Sequence, residues 1–219
     1  MKKLLKSLGA VMLALSLTAC GGNDTPSDNN DTEYKDTILW GISNDQDSLD
    51  PATNVSNNVV LPQIYSTLIK IDQNGAIAPD LATEWSVGED GLTWTFNLRE
   101  DVKFQNGKQL TSADVVATFN RLLNEDDPYR YTSEYTSFVE SVTAPDEYTV
   151  VVKTKTPYGA FEAKMASVAT GILDSDYIEQ YGHDLGKTPE SVNGSGPYKV
   201  TDWSMGEQMV FEAFDDYFG

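Results

Sequence analysis

Between Leu92 and Leu98 apolar and polar side chains alternate without a break: Leu92, Trp94, Phe96 and Leu98 against Thr93, Thr95 and Asn97. A period of two places the first set on one face of a strand, so one buried face is predicted. Val102-Lys103-Phe104 follows and leads to Asn106-Gly107, a two-residue hairpin signal. Thr111 predicts a helix start, its hydroxyl capping free amides and Asp114 standing near the positive helix end. Val115, Phe119, Leu122 and Leu123 then recur at helical spacing. The stretch from Asp72 to Phe119 is thus a set of hairpins feeding one helix, with no nucleophile, metal cage or phosphate cradle in it.

The same pattern predicts the flanking elements. Thr37-Ile38-Leu39-Trp40-Gly41-Ile42 reads as a buried strand, followed by a polar, turn-rich segment to Asp50. The Asp50 carboxylate, ahead of Pro51, is expected to hold a local turn, direct ligand contact being the alternative. A helix is expected to start near Leu61, with Pro62 in its first turn, and to carry Leu61, Ile64, Tyr65 and Leu68. Asp72-Gln73-Asn74-Gly75 predicts a hairpin turn. Glu125-Asp126-Asp127-Pro128 ends the helix begun at Thr111, and Tyr129, Tyr131 and Tyr135 follow in a polar loop. A phenol there suits either a ligand or the sealing of the loop onto its own domain.

Further on, 138–142 and 148–152 flank Ala144-Pro145-Asp146-Glu147 as a hairpin rich in β-branched residues. Short helices are predicted at 161–165 and at 176–181, the second ending at Gly182. The last hairpin pairs Tyr198-Lys199-Val200 with Gln208-Met209-Val210-Phe211 around 204–207. Ahead of it, Gly194-Ser195-Gly196-Pro197-Tyr198 reads as a tight turn; a phosphate cradle would need a helix opening on Lys-Ser/Thr.

The series Pro79-Asp80-Leu81-Ala82, Trp85, Asp90-Gly91-Leu92-Thr93-Trp94-Thr95-Phe96, Leu98-Arg99, Val102-Lys103-Phe104, Asn106-Gly107 and Thr111-Ser112-Ala113-Asp114-Val115 resembles the extracellular solute-binding proteins of peptide/nickel-type ABC importers (family 5). Oligopeptide- and dipeptide-binding lipoproteins are the best-known members, and the resemblance runs from Leu39 to Gly219. It implies an α/β fold of the type II periplasmic-binding-protein kind, in the cluster of the peptide binders. The expected domains are a discontinuous first domain, 37–65 with 164–219, and an inserted hairpin-rich lobe, 66–163. The third domain of the family is expected to be absent from this chain. In relatives the cleft lies between the first and third domains, and the acid that pairs with a peptide's amino terminus belongs to the third. The resemblance also implies that Val55, Ser56 and Asn57 lay their backbone along a bound peptide. Main-chain pairing suits a receptor that accepts many side chains. Tyr129 and Tyr131 are the other ligand-binding candidates. No catalytic residue, metal ligand or cofactor is implied.

The amino terminus changes the picture of where this happens. Lys2, Lys3 and Lys6 precede an apolar run from Leu8 to Leu17, too short for a stable membrane span, and then Leu17-Thr18-Ala19-Cys20. This resembles a bacterial lipobox, so 1–19 is expected to be a lipoprotein signal peptide and Cys20 the lipidated residue. Cys20 is the only cysteine, which rules out an internal disulfide. Residues 20–36 are polar and small and read as a flexible tether, reaching roughly 20 Å on average. The expected location is extracytoplasmic, anchored on the outer face of a bacterial cell membrane or in the periplasm.

Formal charge is −19, and it deepens once the three lysines of the leader are gone. Nucleic acid is a poor partner for such a surface. His183 is the only histidine, whereas metal coordination by side chains generally uses clustered His or Cys. The expected function is capture of extracellular peptides and their delivery to the permease subunits of an importer, without catalysis. Receptors for nickel chelates or oligosaccharides are the alternatives within the family. A secreted hydrolase is disfavoured by the lack of a Gly-x-Ser-x-Gly elbow and a His-Glu-x-x-His helix.

Overall fold

Helix α1 (Leu61–Ile64) is the first element among the described residues, with Pro62 in its first turn, where a missing amide costs nothing. The computed structural model describes residues 40–41, 46–54 and 59–219. The candidate residues Val55, Ser56, Asn57 and Cys20, the leader, and most of the strand expected over 37–42 lie outside the described residues. All the elements fall in the compact unit Ile42–Gly219; in the unit Met1–Gly41 only Trp40 and Gly41 are described, and neither is in an element.

The helix is shorter than the sequence pattern suggests, because Tyr65 is already extended at φ −119° and ψ 143°. Beyond it the backbone exchanges helical bonds for lateral ones. Ile172 N–H donates to Ser66 O at 2.9 Å, and Ala82 N–H to Leu68 O at 2.8 Å. Leu68 therefore leads into strand β1 (Ile69–Ile71), which pairs antiparallel with β2 (Ile77–Pro79). Their turn is held by Asp72, whose carboxylate accepts the amides of Asn74 at 2.8 Å and Ala76 at 2.9 Å. Those bonds, Ala76 foremost, hold the Asp72 carboxyl below its usual range.

Strands β3 (Ala82–Val87), β4 (Thr93–Leu98), β5 (Val139–Asp146) and β6 (Thr149–Thr154) form an antiparallel sheet in the order β3-β4-β6-β5. The alternation in β4 does what its period requires: Phe96 and Leu98 are buried, and Trp94 stacks on Phe161 with centroids 4.4 Å apart. β5 runs through Pro145 to Asp146, so its turn is at Glu147-Tyr148 and not at 144–147. Proline is tolerated there because β5 is an edge strand whose register breaks between Thr143 and Asp146.

Helix α2 (Ser112–Leu122) covers the sheet with Val115, Phe119 and Leu122. Its start follows the expected chemistry: Asp114 accepts the Thr111 amide at 3.0 Å, and Ser112 Oγ donates to Asp146 O at 2.6 Å. Short helices α3 (Thr132–Thr136), α4 (Phe161–Met165) and α5 (Ser175–Tyr181) follow, with the hairpin of β7 (Tyr198–Ser204) and β8 (Gln208–Ala213) last.

The buried apolar residues form two clusters. One lies under the four-stranded sheet and takes in Leu68, Ile69, Phe96, Phe104, Phe119, Val152 and Phe161. The other joins Leu49, Leu61, Ile64, Tyr65, Leu173 and Leu185, with Val200, Trp203 and Phe211 packed against it. Gly194 and Gly196 serve the second cluster where the chain bends at 195–197. Neither has a positive φ. They let the backbone pass against Ile64, where Gly196 N–H donates to Ile64 O at 2.8 Å.

Candidate functional site

Helix α2 has two buried stripes with different chemistry. Beside the apolar one, Asp114, Thr118 and Arg121 recur at helical spacing and are also buried. Each holds a different part of the chain. Asp114 Oδ1 accepts Ser175 Oγ–H at 2.7 Å and Ser175 N–H at 3.0 Å. Thr118 Oγ1 accepts Leu173 N–H at 3.0 Å while donating to Asp114 O at 2.8 Å. Arg121 grips Asp50 through both nitrogens, Nη1 to Oδ1 at 3.0 Å and Nη2 to Oδ2 at 2.6 Å.

Arg121 and Asp50 are almost fully out of solvent, their side chains 6% and 1% exposed. Burial works against the guanidinium's charge, but the bonds to Asp50 outweigh it and hold the Arg121 pKa above its usual value. The Tyr129 ring lies over the guanidinium, 3.8 Å from Cζ to centroid, and stacks on His183 at 4.7 Å. His183 is itself exposed and pairs with Asp127 at 2.8 Å. The Tyr65 hydroxyl is buried in the same neighbourhood, and burial, then the Asp50 charge, push its pKa up.

Asp50 is the hub of the segment 46–54. Its Oδ1 accepts Ala52 N–H at 2.9 Å, and its carbonyl accepts Thr53 N–H at 3.1 Å and Asn54 N–H at 2.9 Å. Asn54 Nδ2 donates to Ser48 O and to Gln46 Oε1. Tyr131 completes the arrangement, its hydroxyl donating to Asn54 O at 3.1 Å. The expected local turn at Asp50 is therefore present, though its main partner, Arg121, lies 71 residues away. Tyr129 and Tyr131 both meet partners within the chain, one on Arg121 and one on Asn54, the residue from which 55–58 departs.

A second buried polar knot lies at the other end of α2. Lys108 Nζ donates to Asp174 Oδ1 at 2.6 Å and to Asp114 Oδ1 at 3.2 Å, and pairs with Asp176 at 3.1 Å. Burial opposes the ammonium charge, yet the bonds to Asp174, Asp176 and Asp114 hold the Lys108 pKa above its ordinary value. Asp174 Oδ2 is satisfied by Asn193 Nδ2 at 2.8 Å and Asn106 Nδ2 at 3.0 Å. Gln105 next to it donates its amide to Gly194 O at 2.8 Å and its Nε2 to Tyr198 O at 2.7 Å. The hairpin tip at Asn106-Gly107 thus ties the two hydrophobic clusters together.

A cleft of about 240 Å³ opens beside Tyr65, Ser66, Thr67, Lys70, Asp80 and Tyr217, and neither Tyr129 nor Tyr131 lines it. Asp80 accepts Thr67 N–H at 2.9 Å and Lys70 Nζ–H at 3.3 Å. Burial nevertheless pushes its carboxyl above the usual carboxylate value, against the pull of Thr67 and Lys70. A folded-state pKa above the unfolded one means that the folded chain holds the proton more tightly. The resulting stabilisation is complete below the unfolded value and is lost as pH rises through the folded one. Asp80→Asn is therefore expected to cost more stability at about pH 4 than at about pH 7. Equal shifts of the urea midpoint at the two pH values would contradict this.

Sequence reasoning missed Arg121, Lys108, Asp174 and Gln105. For Arg121 a signal was present: Asp114, Thr118 and Arg121 share a helical stripe adjoining the apolar one. For Gln105 and Asp174 there was none, because partners such as Gly194 and Lys108 lie 89 and 66 residues away.

The family model for "Bacterial extracellular solute-binding proteins, family 5 Middle" matches residues 76–219. The chain is 30% identical over 185 residues to the glutathione-binding protein GsiB of Salmonella typhimurium, covering 84% of this chain and 35% of that protein. Its structure is similar to OppA of Burkholderia pseudomallei, with TM-score 0.74 and 28% identity over 81% of this chain and 38% of that one. It is also similar to DppA of Helicobacter pylori in complex with a peptide, with TM-score 0.69 and 29% identity over 78% of this chain and 38% of that one. The chain spans about a third of the length of the curated relatives it matches.

Proposed function

The chain belongs to the bacterial extracellular solute-binding proteins of family 5, and from that premise we propose that it is part of a receptor that captures extracellular peptides for an ABC importer. The observation that carries the proposal is the agreement in fold and sequence with a peptide-bound DppA, at 29% identity and TM-score 0.69, together with the glutathione-binding relatives. The periplasmic-binding-protein fold supplies the mechanism: lobes close on a solute by a hinge, and the closed form docks on the permease. Binding, not turnover, is the proposed activity.

In this reading Val55, Ser56 and Asn57 present main-chain amides and carbonyls to the peptide, with Tyr129 and Tyr131 bordering the same site. The pinned turn 46–54 supports it, because a backbone that must pair with a ligand gains affinity from being held in place beforehand. The first domain is proposed as 37–65 with 164–219 and the inserted lobe as 66–163; the smaller apolar cluster lies wholly within the first-domain ranges, whereas the larger one also takes in Ala52, Met165, Ala169 and Ile172. The proposal includes Cys20 as the lipid anchor and an extracytoplasmic location. Isothermal titration of the complete gene product with di- to pentapeptides and glutathione is expected to give saturable heat with at least one peptide. Heat with nickel chelates or oligosaccharides and with no peptide would overturn the peptide assignment.

A further inference from the structure

We infer that Asn74 is a site of self-modification, where the chain turns a side-chain amide into a carboxyl with water as the only co-reactant. The sequence holds Asn-Gly at 74–75, 106–107 and 193–194, and the fold shields the second and third of these pairs. Asparagine is among the thermally labile residues, and a following glycine leaves the main-chain nitrogen sterically open. In the reaction the Gly75 nitrogen gives up its proton and attacks Asn74 Cγ. A C–N bond forms, the Cγ–Nδ2 bond breaks, and Nδ2 leaves as ammonia with that proton. Water then opens the cyclic imide at either carbonyl. One opening gives aspartate, the other isoaspartate, whose main chain runs through the side-chain carbon.

Two of the three turns are alike up to the asparagine side chain. Both read Gln-Asn-Gly, at 73–75 and 105–107. Their glycines lie in the left-handed region, at φ 80° and 91°. Each glycine amide is held on the carbonyl three residues back, Gly75 on Asp72 at 3.0 Å and Gly107 on Phe104 at 2.8 Å. The attacking nitrogens are thus equally engaged, and the difference lies in the group attacked. Asn74 is exposed, and its Nδ2 reaches Asp72 Oδ2 only at 3.3 Å. Among the described residues its Oδ1 accepts no hydrogen bond. Asn106 is held at both ends, Nδ2 donating to Asp174 Oδ2 at 3.0 Å and Oδ1 accepting the Lys108 amide at 2.9 Å. Asn193, 4% exposed, donates its Nδ2 to Asp174 Oδ2 at 2.8 Å and accepts the Asn106 amide at 3.0 Å. Ring closure requires the side chain to swing Cγ onto the next nitrogen. Asn74 does so at the loss of one long bond, whereas Asn106 and Asn193 each lose two, one of them to the carboxylate that pairs with Lys108. The hairpin around Asn74 is also an isolated pair of three-residue strands, an arrangement that opens readily.

Isoaspartate at this position lengthens the main chain inside a turn that the Asp72 carboxylate closes on the amides of Asn74 and Ala76. Either product also sets a second carboxylate beside Asp72. The inference is independent of what the protein binds. The complete gene product, kept folded in warm, mildly alkaline buffer and digested at intervals, tests it by mass spectrometry. The Asn74 peptide is expected to gain the amide-to-carboxyl mass shift as two isomers, at least about tenfold faster than the peptides carrying Asn106 and Asn193. In concentrated urea that lead is expected to fall below about threefold, because only the folded structure separates the three sites. A smaller lead in the folded protein, or no conversion at Asn74, overturns the inference. A lead that stays larger in urea also overturns it, since neighbouring residues and not the fold would then set the order.

Discussion

Replacing Arg121 by methionine is expected to lower the unfolding free energy by about 3–5 kcal/mol, although the new side chain fills much of the same space. The argument turns on what is left behind. Asp50 is 1% exposed, and without the guanidinium its carboxylate keeps the Ala52 amide as its bonded partner and no cation. An ion taken out of water is tolerated only while its counter-charge is present. The loss is also topological, since Arg121 on α2, together with Tyr131, ties the turn at 50–54 to residues some 70 or more positions on. The Tyr129 ring loses the cation beneath it as well. Urea denaturation of wild type, Arg121→Met, Asp50→Asn and the double variant gives the measurement. The double variant is expected to be less damaged than the sum of the two singles, because removing both charges leaves nothing unpaired. A loss below about 1 kcal/mol in Arg121→Met, with additive singles, would show the pair to be dispensable.

That pair also marks the boundary of what the chain's local patterns reveal. The period-two run around Trp94 and Phe96, the Asn-Gly turn, the capped start of α2 and the Gly206 hairpin were legible because each is decided by residues within a few positions of one another. Where long-range contacts override local preference, the reading fell short. Leu68 sits at helical spacing from Leu61 and Ile64, yet the backbone around it bonds to Ala82 and the neighbouring Ser66 to Ile172, so it enters a strand. Pro145 looked like the centre of a turn and proved compatible with an edge strand, a fact about neighbours that no local window contains. The phenols at 129 and 131 are read from the sequence as side chains that face a ligand or seal a polar loop onto its own domain. Their partners, Arg121 and Asn54, became visible only once α2 and the turn at Asp50 were brought together.

The second large effect is expected from a single methyl group at Gly194. A Cβ built there would stand 1.9 Å from Ile64 O and 2.7 Å from Ile64 C, both main-chain atoms that cannot rotate aside. Ile64 is the last residue of α1, and its carbonyl is one of the free acceptors that a helix end must place. It is placed on the Gly196 amide at 2.8 Å, and a Cβ on Gly196 would likewise come within 2.6 Å of Ile64 C. The two glycines therefore straddle one carbonyl, and the β7–β8 hairpin docks on α1 through that contact. Gly194→Ala has to push the end of α1 and the segment 194–196 apart by more than an ångström. This breaks the bonds from Gly196 to Ile64 and from Gln105 to Gly194 and opens the cluster around Leu61 and Tyr65. The expected cost exceeds about 3 kcal/mol, at the upper end of overpacking effects because the obstacle is backbone. Gly159→Ala is the control: nothing lies within 4 Å of its added Cβ, and its backbone needs no positive φ. That variant is expected to stay within about 0.5 kcal/mol of wild type in urea denaturation. If Gly194→Ala matched it, the approach of the two segments would have to be loose enough to admit a side chain, and the hairpin could not owe its position to that carbonyl.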